Sequence, residues 1–100
     1  MPTSEHKQRA AWLAVLGEPT RLAIITHLAA GTKSVMELAK ACQTEMANAS
    51  HHLKMMKAVG LVRTTKDGRY VYYSLTGATT AEGVLEVTHA SGMTLKIPLN

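Results

Sequence analysis

The sequence Ala-Ser-His-His-Leu at residues 49–53 places a hydroxyl and two imidazoles close together, and such groups can support hydrolysis or metal binding. On a helix, however, Ser50 and His52 do not face each other, and no third group orients the imidazole for catalysis. His51 and His52 diverge by about 100° on a helix and cannot chelate one ion. We therefore expect neither an enzyme nor a metal site here, and no cofactor.

The same segment suits a different chemistry, hydrogen bonding to base edges. Its predicted outward side is small or polar and carries no acidic residue: Ala47, Asn48, His51 and Lys54. An amide pairs well with adenine and an imidazole can donate to an acceptor on guanine, so this side could enter a major groove about 12 Å wide. The opposite side is apolar and is predicted to be buried: Ala49, Leu53 and Met56.

Two cationic residues, Lys66 and Arg69, flank the pair Asp67-Gly68 between two stretches with strand-like alternation, 61–65 and 70–75. An Asp-Gly pair is typical of type I′ hairpin turns, so we predict a hairpin with a basic tip that reaches phosphates or the minor groove. Lys33, Ser34 and Lys54 are further candidates for bonds to the phosphate backbone, which position a protein on DNA without reading its sequence.

Length and charge limit the possible functions. One hundred residues predict a single domain over 1–100 and exclude large enzymes. The chain has a net charge of +4, and residues 33–73 alone hold seven Lys and Arg against three Asp and Glu. This concentration is expected where a protein meets a polyanion, although a solvated surface would also explain it.

The single cysteine, Cys42, cannot form an internal disulfide and is expected to be a small buried apolar group. The N-terminal residues have no apolar run typical of a secretory signal, and no stretch approaches the roughly 18 apolar residues that span a bilayer. We therefore expect a soluble cytoplasmic protein without a membrane partner.

The elements that must position these side chains follow from periodicity and capping signals. Helices are predicted over 4–16 with Ser4 as N-cap, over 19–30, from Ser34 to about 42 through a capping box with Glu37, and over 46–58. A second hairpin is predicted in the tail, 79–100, with its turn at 90–92. The predicted fold is mainly α with small β: a winged helix-turn-helix with an extra C-terminal β-hairpin.

Four segments resemble the ArsR/SmtB transcriptional repressors, small bacterial winged helix-turn-helix proteins that act as dimers. They are LGEPTRLAIITHLAAG, SVMELAKAC, ASHHLKMMKAVGLV and DGRYVYYSL, and the resemblance covers about residues 13–75. It implies that Ala47, Asn48, Ser50 and His51 fall where that family contacts DNA, and that Arg69 lies in its wing.

The chain departs from the family pattern at two places. Many members bind metals or arsenite through a Cys-x-Cys at the start of the third helix, where this chain has Ser34 and Met36. Others bind metal ions on a C-terminal helix at the dimer contact, whereas this tail is predicted to be a hairpin. An isolated hairpin is marginal in water, so we expect the tail to pack against the first helix or against the tail of a second copy.

Together these features predict a sequence-specific regulator of transcription that binds double-stranded DNA, a dimeric repressor without the Cys-x-Cys metal site. Two alternatives remain open: a winged-helix module that binds proteins, and a sensor of an unidentified effector or of redox state at Cys42. His52 is expected to pack beneath the DNA-facing side, and His89 to lie on the surface. The methionines at 46, 55 and 56 are expected to pack in the core or at its edge.

Overall fold

The computed structural model describes residues 1–99, which form four helices and six strands. The helices are α1 (Ser4–Leu16), α2 (Pro19–Leu28), α3 (Val35–Ala41) and α4 (Met46–Ala58). The strands are β1 (Lys33–Ser34), β2 (Val62–Asp67), β3 (Tyr70–Leu75), β4 (Ala78–Ala81), β5 (Val84–Thr88) and β6 (Thr94–Pro98). They form two antiparallel sheets with the strand orders β1-β3-β2 and β4-β5-β6, so the predicted fold class is confirmed.

Side-chain caps fix where the helices begin. At α3 the predicted capping box is present: Ser34 Oγ accepts from the Glu37 N–H (3.2 Å), and Glu37 Oε1 accepts from the Ser34 N–H (2.9 Å). At α1 we had predicted Ser4 as the cap, but the cap is Thr3. The reason is that Thr3 places His6 at the third helical position, where its Nδ1 accepts from the Thr3 N–H (3.0 Å).

One buried cluster joins the helices to both sheets. Its fully buried large side chains are Trp12, Ile24, Ile25, Leu38, Leu53, Met56, Leu61, Leu85 and Val87. The three residues predicted to form the apolar side of α4, Ala49, Leu53 and Met56, are all completely buried. Since α4 is seated by this side, its opposite side must face solvent.

The wing is the β2–β3 hairpin, and its turn differs from the prediction. Asp67 pairs with Tyr70, which leaves Gly68 and Arg69 as the two-residue loop. Gly68 has a φ of 62°, but Arg69 does not have a positive φ. A positive φ at the first loop residue alone is the pattern of a type II′ turn, so the type I′ prediction was wrong. Arg69 therefore lies at the tip of the wing itself.

The tail forms the predicted hairpin and one strand more. Strands β5 and β6 pair as expected, but β4 adds a third strand beside β5. The sheet packs on α1, which is one of the two predicted alternatives. The ring of His89 meets the ring of Trp12 edge-on at 5.5 Å, and Arg9 Nε donates to Ser91 Oγ (3.0 Å). His89 is thus half-buried, and its predicted surface position was wrong.

Candidate nucleic-acid interface

The outward side of α4 is open to solvent along its whole length. Ala47, Asn48, His51 and Lys54 are all exposed, while Ser50 is half-buried near the edge of this side. No acidic residue occurs between Met46 and Ala58. The side therefore presents donors and acceptors without a charge that would repel a polyanion.

The side chain of Asn48 is held in place by the turn before α4. Its Nδ2 donates to Thr44 Oγ1 at 2.7 Å. Thr44 is itself fixed, because its N–H donates to the Ala39 carbonyl (2.9 Å). Within the described part of the chain, the Asn48 Oδ1 and the second N–H make no other bond, and an amide uses one oxygen and one N–H to pair with adenine. Sequence analysis missed Thr44, although its i, i+4 spacing to Asn48 is a usable signal.

The wing supplies cations that have no partner among the described residues. Lys66 on β2 and Arg69 in the loop are exposed, and within residues 1–99 neither makes an ion pair or a side-chain hydrogen bond. The base of the wing is tied to α4, since Lys57 Nζ donates to Thr64 Oγ1 (3.3 Å). The cationic tip is therefore free while its base is linked to the helix that it accompanies.

A groove of about 500 Å³ separates the wing from the starts of α3 and α4. Ser34, Met36, Met46, Arg69 and Tyr70 are among the residues that line it. It brings together two of the predicted site residues, Ser34 and Arg69. The other seven predicted residues lie outside its lining; among the cations, Lys33 is half-buried in β1, and Lys54 and Lys66 are exposed elsewhere.

The acidic residue of this groove, Glu37, is held by two hydrogen bonds with Ser34. Glu37 also lines it, but its carboxylate accepts from the N–H of Ser34, which is the main reason that the pKa of Glu37 lies below its ordinary value. The Ser34 hydroxyl shares in this capping box and lowers the pKa further. The carboxylate is thus committed to the start of α3.

A guanidinium fixes α4 from beneath. Arg21 on α2 donates through Nε to the Val15 carbonyl (2.6 Å), and its Nη1 lies 3.3 Å from His52 Nδ1 and 3.4 Å from Met55 Sδ. Glu18 Oε2 lies 3.7 Å from the same His52 nitrogen. His52 is thus part of a polar cluster, whereas we had predicted simple packing beneath the DNA-facing side.

Glu18 shapes this cluster through the backbone. Its carboxylate accepts from the Arg21 N–H (2.9 Å), and this bond is the largest cause of a lowered pKa for Glu18. The carboxylate caps α2 and also faces His52. Sequence analysis missed both Glu18 and Arg21 as residues that position α4, because their partners lie far away along the chain.

Of the three methionines predicted to pack in the core or at its edge, Met56 does so and Met46 does not. Met56 is fully buried, the side chain of Met55 is 37% exposed, and that of Met46 is half exposed. Cys42 is half-buried against the core, and burial raises the pKa of its thiol. Within residues 1–99, no group of three His, Cys, Asp or Glu side chains could hold a metal ion. Over the same range, no helix has the length and apolar character needed to cross a membrane.

Comparison with known sequences identifies relatives for most of the chain. A family described as "Helix-turn-helix domain" matches residues 16–65. The transcriptional regulator NmtR of Mycobacterium tuberculosis is 40% identical over 68 residues, which are 68% of this chain and 57% of NmtR. The repressor SmtB of the same species is 38% identical over 79 residues, which are 78% of this chain and 58% of SmtB. The matched part thus spans less than three-fifths of these relatives.

Solved structures agree with the sequence comparison. NolR from Sinorhizobium fredii superimposes with a TM-score of 0.69 at 30% identity, covering 73% of each chain. The homodimeric winged helix-turn-helix domain of Mb0332 from Mycobacterium bovis, described as a possible ArsR-family regulator, gives 0.71 at 31% identity. That match covers 74% of this chain and 68% of the other. On sequence and fold together, the chain belongs to the ArsR/SmtB family of winged helix-turn-helix transcriptional regulators.

Proposed function

We propose that this protein is a homodimeric repressor that binds a specific double-stranded DNA site. The observation that carries the proposal is the outward side of α4. It is exposed and free of acids, its Asn48 is held by a 2.7 Å hydrogen bond to Thr44, and it lies beside wing cations that are unpaired among residues 1–99. A side chain held in one conformation before binding loses less entropy on contact with a base.

The proposed contacts divide into two groups. Asn48 and His51 read base edges in the major groove, and the small residues Ala47 and Ser50 allow α4 to approach closely. The second group bonds to phosphates and positions the protein: Lys33, Ser34, Lys54, Lys66 and Arg69. Each phosphate that the cations neutralise adds about −0.9 to the slope of log K against log salt concentration.

Relatives support the dimer and the repressor role. The Mb0332 domain is described as homodimeric, and SmtB is described as a repressor. Two copies related by a twofold axis would place their α4 helices in successive major grooves, roughly 34 Å apart, on a pseudo-palindromic site. Such a regulator acts in the cytoplasm on chromosomal DNA and needs no catalytic step.

The proposal is tested by selecting binding sites from a random duplex library and then titrating variants in gel shifts. We expect Asn48→Ala and His51→Ala to weaken binding to the selected site and to relax its sequence preference. Arg69→Ala should weaken binding to all duplexes alike. Lys7→Ala, which removes an exposed cation from α1, is the matched control and should change little.

Two results would contradict the proposal. Equal losses for Asn48→Ala, His51→Ala and Arg69→Ala on every duplex would refute the division between base and phosphate contacts. Affinity for random duplex DNA that does not fall between low and moderate salt would favour a module that binds proteins.

An inducing effector would need a site other than a thiolate pair on α3, because Ser34 and Met36 occupy those positions. Melting scans with metal ions and thiol oxidants would detect such an effector.

A further inference from the structure

Three of the exposed large apolar side chains converge on the groove between the wing and α4. Met36 of α3 is 62% exposed, Met46 of α4 is 50% exposed and Tyr70 of the wing is 57% exposed. All three line the same groove although they come from different elements. Single exposed apolar residues are ordinary on protein surfaces, but three on one concave surface form a patch with a potential ligand.

Met46 occupies the leading end of this patch. It is the first residue of α4 and directly precedes Ala47 and Asn48. In helix-turn-helix proteins the N-terminal residues of the recognition helix contact base edges. The neighbouring cap residue, Glu45, makes no side-chain hydrogen bond to the helix start, and Met46 itself is half exposed. Met46 therefore projects from the part of α4 that would enter the major groove first.

The chemistry of the thioether narrows what Met46 can recognise. It carries no charge and no donor, so it gains nothing from phosphates or from the acceptors of guanine, and its sulfur is only a weak acceptor for the amino groups of cytosine and adenine. The 5-methyl group of thymine is the apolar group that base pairs display in the major groove. An unbranched methionine side chain can adapt its shape to such a methyl group.

We infer that Met46 is a specificity-determining residue that selects thymine by apolar contact with its 5-methyl group. The inference rests on the proposed DNA-binding function. Met36 and Tyr70 continue the apolar lining towards the wing, where Arg69 lines the same groove. Each half-site of the selected duplex should accordingly contain a thymine at a position that Asn48 does not read.

The test replaces each thymine of the selected duplex, one at a time, by deoxyuridine, which pairs identically and lacks only the methyl group. Burial of one methyl group predicts a loss of about fourfold in affinity at the contacted position. In the Met46→Ser variant this loss should disappear, because serine cannot make the contact. Met46→Leu keeps an apolar side chain and should keep the loss.

Controls separate this inference from folding and from the proposed function. Leu22→Ser removes a side chain of similar exposure, 40%, from α2 outside the groove lining, and should retain the wild-type deoxyuridine profile. Binding of all variants to random duplex DNA should equal that of the wild type. The deoxyuridine replacement series with the wild-type protein alone tests whether any thymine methyl group is contacted, even if a variant does not fold.

The outcomes are distinct. If the wild-type protein selects no duplex, the proposed function fails. If it selects a site but no thymine shows a loss above about twofold on replacement, the inference about Met46 is wrong while DNA binding stands. A loss that persists in Met46→Ser would assign the methyl contact to another residue, such as Ala47, and would also overturn it.

Discussion

The Nη1 atom of Arg21 lies 3.3 Å from Nδ1 of His52, and this contact joins the start of α2 to the middle of α4. A guanidinium can only donate, so any hydrogen bond between these two atoms has Nδ1 as the acceptor. Arg21 also donates to the Val15 carbonyl at the end of α1. A single side chain thus links α1 and α2 to α4, the helix that carries the proposed base contacts, in addition to the apolar contacts of Ala49, Leu53 and Met56.

Replacing Arg21 should therefore destabilise the protein more than replacing an arginine of the wing. We expect Arg21→Met to lower the free energy of unfolding by about 2 kcal/mol, because it removes a charged donor from a part-buried carbonyl. Arg63→Met removes only an exposed bond of 3.5 Å to the Leu75 carbonyl and should cost less than about 0.5 kcal/mol. Urea unfolding measures both; equal losses would contradict the role assigned to Arg21.

Thr44 should affect DNA recognition without touching DNA. Thr44→Val keeps the shape of the side chain but removes the acceptor for Asn48 Nδ2. We expect affinity for the selected site to fall about fivefold, since a hydrogen bond of about 1 kcal/mol no longer orients the amide. Affinity for random duplexes should not change. Thr26→Val, which removes a bond to the Leu22 carbonyl on α2, is the matched control, and a similar loss of specificity there would refute the argument.

The sequence predicted the parts of the fold that depend on local patterns. The bounds of α4 agree with the predicted 46–58, because an apolar period of this length and a glycine stop are strong local signals. The capping box of α3 was also predicted, since Ser34 and Glu37 interact within one turn. Local chemistry decides both features.

The features that were missed depend on contacts between distant residues. The bond between Arg21 and His52 joins residues 31 positions apart, and no local pattern indicates such a pair. In the wing, the register pairs Asp67 with Tyr70 and so moves the loop one residue beyond the Asp-Gly pair. Strand β4 is short, and its sequence Ala-Thr-Thr-Ala has no alternating apolar pattern, so only its pairing with β5 defines it.

Two carboxylates should determine how stability responds to acid. The pKa values of Glu18 and Glu37 lie below the ordinary value of 4.5, chiefly because each accepts a backbone N–H bond, from Arg21 and Ser34 respectively. A lowered pKa in the folded state contributes stability that is present above pH 4.5 and is lost as the pH falls through the folded-state pKa. We expect the free energy of unfolding to decrease from about pH 5 downwards.

Glutamine variants test this origin of the acid response. Glu18→Gln and Glu37→Gln should lower the free energy of unfolding at pH 7. Each should also make the decrease below pH 5 shallower, by roughly the slope that one carboxylate contributes. Glu45→Gln is the control, because the Glu45 side chain makes no capping bond. Urea unfolding at a series of pH values measures the slopes; an unchanged acid slope in the Glu18 and Glu37 variants would contradict the assignment.

Cys42 should react slowly with thiol reagents. Burial raises the pKa of its thiol and limits access, whereas reactive cysteines have lowered pKa values and open surroundings. We expect a disulfide reagent at pH 7.5 to modify the folded protein at least about tenfold more slowly than the urea-unfolded protein. Hydrogen peroxide should leave DNA affinity unchanged. Rapid modification with loss of DNA binding would instead support the redox-sensor alternative.

The C-terminal sheet should unfold together with the helices as one unit. Leu85 of β5 is 1% exposed and shares the buried cluster with Trp12 of α1. Leu85→Ala is expected to cost about 3 kcal/mol through lost burial and a cavity, whereas Leu22→Ala, at an exposed site, should cost less than about 1 kcal/mol. Trp12 is the single tryptophan and contacts His89, so its fluorescence reports on the junction between α1 and the sheet. Melting curves from this fluorescence and from helical circular dichroism should coincide, because one core connects both parts. Two separate transitions, or a small effect of Leu85→Ala, would mean that the tail folds independently of the winged helix-turn-helix.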